Sequence, residues 1–298
     1  MSHSSSSYEN TLPVSDRNEL RALIALLDDP DTFVQEKVKE RMSEFGENHV
    51  PILDELREDI SDPVIRKRIT ELIHNITFPA LELEFAEYLD NGIHTMRDLE
   101  RGQLLLSRLD NPTLRTDLYR RQMDKMASRL EPCLRTQLSP SEQLESFTSF
   151  FFEQEFFKGA HKDYRHPDNS YLHKVLQRRR GIPIALSMVM LFVADRLDFP
   201  LYGVNMPMHF LIKYEAGNDS ALIDPFNCGR IVSMGQCSYF LESNGITPEA
   251  AHFERATERT ILVRSIRNLI ISYEEMQNSN RVQELKRLLE YLKPEGGC

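Results

Sequence analysis

A histidine and an aspartate lie in two consecutive apolar segments of this chain. His209 stands near the start of the segment MPMHFLIKYE and Asp224 near the end of ALIDPF, and the polar residues 215–220 between them predict a hairpin turn. A turn centred on residues 217–218 makes Asp224 the diagonal neighbour of His209, and a turn centred one residue earlier places the two directly opposite. Either register brings the imidazole and the carboxylate within about 5–8 Å of each other.

This pair has the chemistry of two members of a nucleophilic triad. A carboxylate fixes the tautomer and orientation of a histidine, which can then act as a base toward a third, nucleophilic residue. The alternative interpretation is a buried hydrogen bond that only fixes the register of the two strands. Function therefore depends on whether a nucleophile stands beside His209 and Asp224.

The bulk composition excludes several classes of protein. The 298 residues are 41% hydrophobic and 28% charged, which is typical of a globular protein with a sizeable core. A net charge of −10 argues against a nucleic-acid or membrane-surface binder, and no apolar run approaches the ~18 residues of a membrane span. The polar residues 1–14 lack a signal core and are predicted to be disordered.

The cysteines and histidines predict neither a disulfide framework nor a zinc site. The four cysteines are scattered, with no CxxC motif, which is typical of reduced thiols in the cytoplasm. Six residues could in principle supply metal ligands, but none has the spacing of a known metal motif. We therefore expect no metal and no cofactor. The six are His161, His166, His173, His209, Asp163 and Asp224.

The first part of the chain, residues 15–78, is predicted to be helical. Residues 31–38 resemble residues 62–69, and each segment begins with an aspartate at a predicted helix start. The offset of 31 residues is compatible with a pair of HEAT-like helical repeats. An ordinary helical bundle is the alternative.

The remaining chain predicts an α+β core followed by two helices. Within residues 79–247, an almost entirely apolar helix begins at Pro183 and is followed by an antiparallel meander of short strands. Residues 248–298 predict a helical hairpin similar to a single TPR unit. The predicted strands are Leu201–Asn205, His209–Tyr214, Ala221–Phe226 and Arg230–Val232.

The order of these elements resembles the papain-like core of the transglutaminase superfamily. The closer resemblance is to its bacterial SirB-type branch, which combines a transglutaminase-like core with a TPR-like tail, and it covers about residues 80–295. The segments that carry it are YRHPDNSYL at 164–172, VLQRRRGIP at 175–183, PMHFL at 207–211 and IDPFN at 223–227.

The resemblance assigns His209 and Asp224 to the histidine and aspartate of the family's triad. It also places the nucleophilic cysteine at the start of the buried helix, where this chain has Pro183. Proline has no nucleophilic atom, so the thiolate that a helix start would activate is missing. The resemblance further implies that this branch usually lacks the cysteine.

The first functional hypothesis is therefore a non-catalytic protein that binds a peptide or a protein partner in a transglutaminase-like cleft, with no nucleic acid or membrane involved. Arg178–Arg180 also invites an anion-site interpretation, although cations are favoured at the end of any helix. The oligomeric state is left open. The predicted ligand-binding residues are Asn169, Arg180, Asn227, Cys228 and Arg230.

The alternative hypothesis is an amide hydrolase or acyltransferase with a relocated nucleophile. Cys228 follows Asp224 closely in sequence, and Ser187 lies one turn inside the helix that Pro183 begins. Their ordinary interpretations are a loop thiol and a buried helical serine that bonds to its own backbone.

Overall fold

The computed structural model describes residues 14–134 and 137–292. It confirms the predicted α+β class, with a buried helix, a small antiparallel sheet and helical flanks. The predicted disorder of residues 1–14 lies outside the described residues, except for Val14, with which the first helix begins. Within the described part, no helix is both long and apolar enough to cross a bilayer.

The helices and strands follow one another with short connections. The helices are α1 (Val14–Ala25), α2 (Thr32–Ser43), α3 (Val50–Asp59), α4 (Pro63–Asp90), α5 (Met96–Ser107), α6 (Thr116–Leu130), α7 (Pro140–Ser149), α8 (Leu172–Arg178), α9 (Pro183–Asp195), α10 (Met234–Ser243), α11 (Glu258–Glu275) and α12 (Ser279–Tyr291). The strands are β1 (Lys158–Gly159), β2 (Arg180–Gly181), β3 (Leu201–Val204), β4 (Leu211–Ala216), β5 (Asp219–Asp224) and β6 (Arg230–Val232).

Among the described residues, the first of two compact units comprises residues 14–82 together with Asn111–Thr113. The two matching aspartates act as helix caps here, because the Asp31 side chain accepts the N–H of Phe33 and that of Asp62 accepts the N–H of Val64. The HEAT-like interpretation of this unit stays a prediction. Its core is formed by side chains that include Leu20, Met42, Leu53, Ile69 and Ile73.

The second unit comprises Leu83–Asp110 and the described residues from Leu114 to Leu292. Helix α9 is its centre: residues from Pro183 to Ala194 are all buried, as their apolar sequence predicts. Helices α5, α6, α8 and α11 pack against α9, and so does the sheet. The strands of that sheet have the order β3-β4-β5-β6 and are all antiparallel, and β1 and β2 form a separate parallel pair.

One predicted domain boundary falls inside a helix. The boundary at 78/79 lies within α4, a single helix that runs through Pro79, and the predicted division into domains stays a prediction. Helix α8 is short, because the chain first makes a 3-10 turn at Pro167–Asn169 and leaves the helix at Arg179, whose φ is +56°.

The two strands predicted to carry the pair have the expected length, but each is displaced by two residues. Strand β4 begins at Leu211, since the chain turns at Met208 with a φ of +62°, and His209 therefore precedes the strand. Strand β5 ends at Asp224 because Pro225 lacks an N–H and begins a 3-10 turn. Ala216 pairs with Asp219, so the hairpin has the first of the two predicted registers.

Candidate functional site

His209 and Asp224 are hydrogen-bonded to each other. The distance between His209 Nε2 and Asp224 Oδ2 is 3.0 Å. The histidine is held by a tight turn, in which its own N–H donates to the carbonyl of Met206 and Met208 adopts a left-handed backbone. Such a backbone is uncommon for a residue other than glycine and is often found at functional sites.

Asp224 is held by several donors besides the histidine. Its Oδ1 accepts the N–H groups of Phe226 at 3.0 Å and Asn227 at 3.3 Å, and its Oδ2 accepts the Asn227 amide at 2.7 Å. Burial alone would raise the pKa of Asp224, but the hydrogen bond and charge of His209 and the bonds from Asn227 outweigh burial and lower it. Asp224 is therefore a fixed carboxylate at neutral pH.

A cavity of about 320 Å³ opens beside the pair. Its walls come from the start of β4, the end of β5, the following 3-10 turn, β6 and one face of α10, and they are mostly apolar. The lining residues are Met206, His209, Leu211, Asp224, Phe226, Asn227, Val232, Gln236, Cys237 and Phe240. This combination of apolar walls and a few polar groups is typical of a ligand site.

His209 offers the cavity one unused ring nitrogen. Its side chain is 17% exposed, and its ring lies 6.2 Å from that of Phe240. Because Nε2 donates its hydrogen to the carboxylate, Nδ1 of the neutral ring is an acceptor, and no residue in the described part of the chain bonds to it. His209 can therefore accept a hydrogen bond from a ligand, or donate one when protonated.

Pro183 begins α9 and is buried, but it is not among the residues that line the cavity. Ser187, four residues on, is also completely buried, and its hydroxyl donates to the carbonyl of Pro183 at 2.9 Å. This is the backbone bond of an ordinary helical serine. Neither residue presents a nucleophile to the cavity.

The five predicted ligand-binding residues lie in different surroundings. Asn227 lines the cavity, and Cys228 and Arg230 follow it with exposed side chains. Asn169 is completely buried, and its side-chain amide donates to two backbone carbonyls of the preceding loop. Arg180 is exposed on β2. The structure therefore brings Asn227 into the cavity and places Asn169 and Arg180 outside its lining, and their ligand-binding roles stay predictions.

The three consecutive arginines are not equivalent. Arg179 donates to Glu155 at 2.7 Å and lies over the Phe157 ring, while Arg178 donates to Asn169 at 3.2 Å. Arg180 has no ion pair among the residues that the structure describes. The three arginines therefore do not form a joint anion site, because the guanidinium groups of Arg178 and Arg179 bond to other residues of the fold.

Of the six candidate metal ligands, His209 and Asp224 are in contact, but the six do not form one site. In residues 14–134 and 137–292, no group of three or more histidine, cysteine or acidic side chains is arranged to hold a metal ion. His173 instead bonds to Asp110, at 3.1 Å from Nε2 to Oδ2.

Helix α10 supplies three lining residues that sequence reasoning missed: Gln236, Cys237 and Phe240. A signal for this helix was present, because Ser233 and Gln236 form a capping box, the S-x-x-Q pattern of a helix start. Burial raises the pKa of the Cys237 thiol, and the Asp224 charge raises it further. Cys237 is thus a protonated thiol at neutral pH.

Comparison with known proteins gives a consistent result. A family model described as the transglutaminase-like superfamily matches residues 117–267, about half of the chain. No solved structure matches.

Curated relatives of known sequence are found in bacteria and in animals. A UPF0162 protein of Xylella fastidiosa (strain 9a5c) is 32% identical over 205 residues, which cover 64% of this chain and 70% of that protein. Protein SirB1 of Salmonella typhimurium is 28% identical over 185 residues, 62% of this chain and 68% of that protein. F-box only protein 21 of Mus musculus is 34% identical over 138 residues, 44% of this chain and 22% of that protein.

Proposed function

The chain belongs to the transglutaminase-like superfamily, in its SirB-type branch, and on that premise we propose that it is a non-catalytic member that binds a peptide segment of a partner protein. The ligand occupies the cavity beside His209 and Asp224. The observation that supports this proposal is a contrast: His209 and Asp224 are bonded to each other and line a cavity, whereas Pro183, where the resemblance places the nucleophile, is buried at the start of α9 and outside the cavity lining.

The lining of the cavity suits a peptide with a large apolar side chain. The walls formed by Leu211, Val232 and Phe240 would remove such a side chain from water, which stabilises a complex by about 25 cal/mol per Å² of buried apolar surface. His209 Nδ1 and the side-chain amide of Gln236 can bond to the peptide backbone. A few fixed polar groups in an apolar cavity give orientation as well as affinity.

Selection of peptides on the full chain tests the binding function. Random decapeptides displayed on phage would be enriched on the purified protein, and the enriched peptides would be synthesised and their affinity measured by fluorescence anisotropy. Phe240→Ala is expected to weaken binding about tenfold, because an aromatic wall of the cavity is lost. Tyr239→Ala is the matched control, since this neighbouring aromatic of α10 does not line the cavity.

The result that contradicts the binding function is equally clear. Either no peptide is enriched, or the enriched peptides bind equally well to the wild type and to Phe240→Ala. Tyr239 is 73% exposed and Phe240 is 38% exposed, so neither substitution removes a core side chain and both variants are expected to fold.

The absence of catalysis requires its own assay. Dimethylcasein as glutamine donor and monodansylcadaverine as amine would report transamidation, and ammonia released when the amine is omitted would report hydrolysis of the glutamine amide. We expect the wild type and His209→Ala to give the same background rate. A rate above background that His209→Ala abolishes would contradict the non-catalytic assignment.

One observation favours a second candidate function. Cys237 lines the same cavity as His209, so a relocated thiol nucleophile has a base within the same site. Its raised pKa counts against this candidate, because a thiol must ionise to attack an amide. The assay above separates the two: turnover that is lost in Cys237→Ala but kept in Cys228→Ala would favour the second candidate.

A further inference from the structure

The two edges of the four-stranded sheet differ in whether other backbone segments pair with them. At the β3 edge, Arg255 forms a β-bridge with Val204, and the N–H of Ala256 donates to the carbonyl of Gly203 at 2.8 Å. At the other edge, β6 pairs with β5 alone, and no described residue pairs with its outer side. Proteins commonly cover or blunt a sheet edge, so an open edge beside a cavity is a place for another strand to add.

The outward-pointing backbone groups of this edge belong to Ile231. Asp224 pairs with Arg230, and Pro225 has no N–H to bond across to β6, so this pair is of the directly hydrogen-bonded kind. Hydrogen-bonded and non-hydrogen-bonded pairs alternate along an antiparallel ladder. The neighbouring pair, Ile223 with Ile231, is therefore a non-hydrogen-bonded pair. The N–H and C=O of Ile231 consequently point away from β5, toward the open edge.

The side chains of β6 define what an added strand would meet. Arg230 and Val232 lie on one face of the sheet and Ile231 on the other, because side chains alternate along a strand. Val232 lines the cavity, and Ile231 is 60% exposed. Arg230 is exposed and makes no ion pair with any residue in the described ranges. The edge thus offers a cation, an apolar side chain and an entry to the cavity, in consecutive positions.

We propose that the ligand is an extended acidic–apolar peptide that adds to the sheet as a fifth strand along β6, with its backbone bonded to Ile231. One of its residues is a carboxylate beside Arg230. The next is apolar and packs on Ile231, and the third is large and apolar and enters the cavity beside Val232. The direction of the peptide decides which of the three comes first. This inference rests on the proposed peptide-binding function and specifies its ligand.

Charge complementarity favours such a peptide over a second copy of this chain. The segment from Gly229 to Ser233 contains Arg230 and no acidic residue. Pairing of β6 with its own copy would therefore bring together two arginines with no carboxylate between them. An acidic residue in the ligand instead makes an attractive pair that also steers the encounter.

Repeating the phage selection on Arg230→Glu tests the charge. Decapeptides selected on the wild type are expected to share the three-residue pattern, and those selected on Arg230→Glu to carry a basic residue where the wild type selects an acidic one. A wild-type peptide should bind Arg230→Glu about tenfold more weakly. Arg267→Glu, an exposed arginine of α11, makes the same charge change elsewhere and should leave the affinity unchanged.

Hydrogen exchange of the Ile231 amide tests the geometry. In the free protein this amide has no partner in the described structure, and it is expected to exchange about tenfold more slowly when about nine-tenths of the protein is bound. No enriched peptide at all would overturn the proposed function itself. Three results for peptides that need Phe240 would overturn only this inference. The peptides would lack the three-residue pattern, or bind Arg230→Glu as tightly as the wild type, or leave the exchange of the Ile231 amide unchanged. Dimerisation of the chain through β6 would also overturn it.

Discussion

Two histidine–aspartate pairs in the second unit have almost the same internal geometry and very different surroundings. His209 bonds to Asp224 at 3.0 Å and His173 bonds to Asp110 at 3.1 Å, in both cases from Nε2 to Oδ2. In both, burial would raise the pKa of the carboxyl group, and the hydrogen bond from the histidine helps to lower it instead. The hydrogen bond by itself therefore does not distinguish the two pairs.

The free ring nitrogens distinguish them. The His173 side chain is 2% exposed, and its Nδ1 is buried without a hydrogen-bond partner. Its ring lies 5.9 Å from that of Tyr119 and 5.8 Å from that of Tyr171. The His209 side chain is 17% exposed, and it lines a cavity. The His173 ring is sealed in the core although Asp110 is partly exposed, whereas the His209 ring is accessible from the cavity. What qualifies a pair as a candidate site is the accessible cavity, not the pair.

Replacing each histidine by alanine should give the largest contrast. His173→Ala removes a completely packed ring and leaves Asp110 without its histidine, so it should lower the free energy of unfolding by about 3 kcal/mol. His209→Ala should lower it by about 1 kcal/mol, because Asp224 keeps its bonds from Phe226 and Asn227. Urea denaturation measures both.

Peptide affinity should follow the opposite order. His209→Ala should weaken binding of a selected peptide, whereas folded His173→Ala should bind it like the wild type. If His173→Ala lost binding while it was still folded, or if His209→Ala proved the more destabilising, the division into a structural and an accessible pair would be wrong.

A glycine substitution can disturb one pair and spare the other. A methyl group on Gly159 would stand 2.5 Å from the carbonyl oxygen of Phe226, in the turn whose N–H groups hold Asp224. Gly159→Ala should therefore cost about 1–3 kcal/mol of stability and weaken peptide binding. Gly235→Ala, where the nearest atom is 3.9 Å away, should instead be neutral or stabilising by up to about 1 kcal/mol.

NMR spectra of the histidine rings provide the readout for this prediction. Gly159→Ala should shift the ring resonances of His209 and leave those of His173 in place. Equal shifts of both rings would show that the substitution acts on the whole unit rather than on the turn beside Asp224.

Acid stability should show what the two pairs share. Because the pKa of each carboxyl is lower in the folded state, its stabilisation is complete above the unfolded value of about 4 and is lost as the pH falls through the folded value. The difference in unfolding free energy between the wild type and Asp224→Asn should shrink below about pH 4, by at most about 1.4 kcal/mol per pH unit. The difference between the wild type and Asp110→Asn should shrink in the same way. A difference in unfolding free energy that grows as the pH falls, for either variant, would contradict the shared lowering of the two pKa values.

The smallest effect is expected at Pro183, the position where the resemblance places the nucleophile. A cysteine in Pro183→Cys would stand at a helix start, which favours a thiolate, but Pro183 is buried and outside the cavity lining. Alkylation by iodoacetamide near neutral pH, followed by peptide mapping, should label it no faster than the exposed Cys228. Labelling about tenfold faster than Cys228 would show that the catalytic geometry survives without its nucleophile.

Local patterns predicted much of the fold that surrounds His209. The apolar run after Pro183, the meander that follows it and the polar turn at 215–220 are local signals, and each corresponds to an observed element. The exact ends of β4 and β5 were missed, since they depend on a left-handed turn at Met208 and on the missing N–H of Pro225.

Long-range contacts explain what the sequence did not reveal. Asn169 is a local exception, because its side-chain amide donates to the nearby carbonyls of Asp163 and Tyr164, and its ligand-binding role stays a prediction. Nothing local pairs His173 with Asp110, 63 residues away. The wall of the cavity on α10 likewise exists only because that helix packs back onto the sheet, through Cys237 and Leu241.

A titration of the protein with a selected peptide, followed by NMR of the two histidine rings, tests the central claim most directly. We expect the ring nitrogens of His209 to shift with the occupancy of the cavity, while those of His173 remain unchanged. A bound peptide that leaves His209 unperturbed would contradict the account, because the pair that defines the site would then take no part in binding.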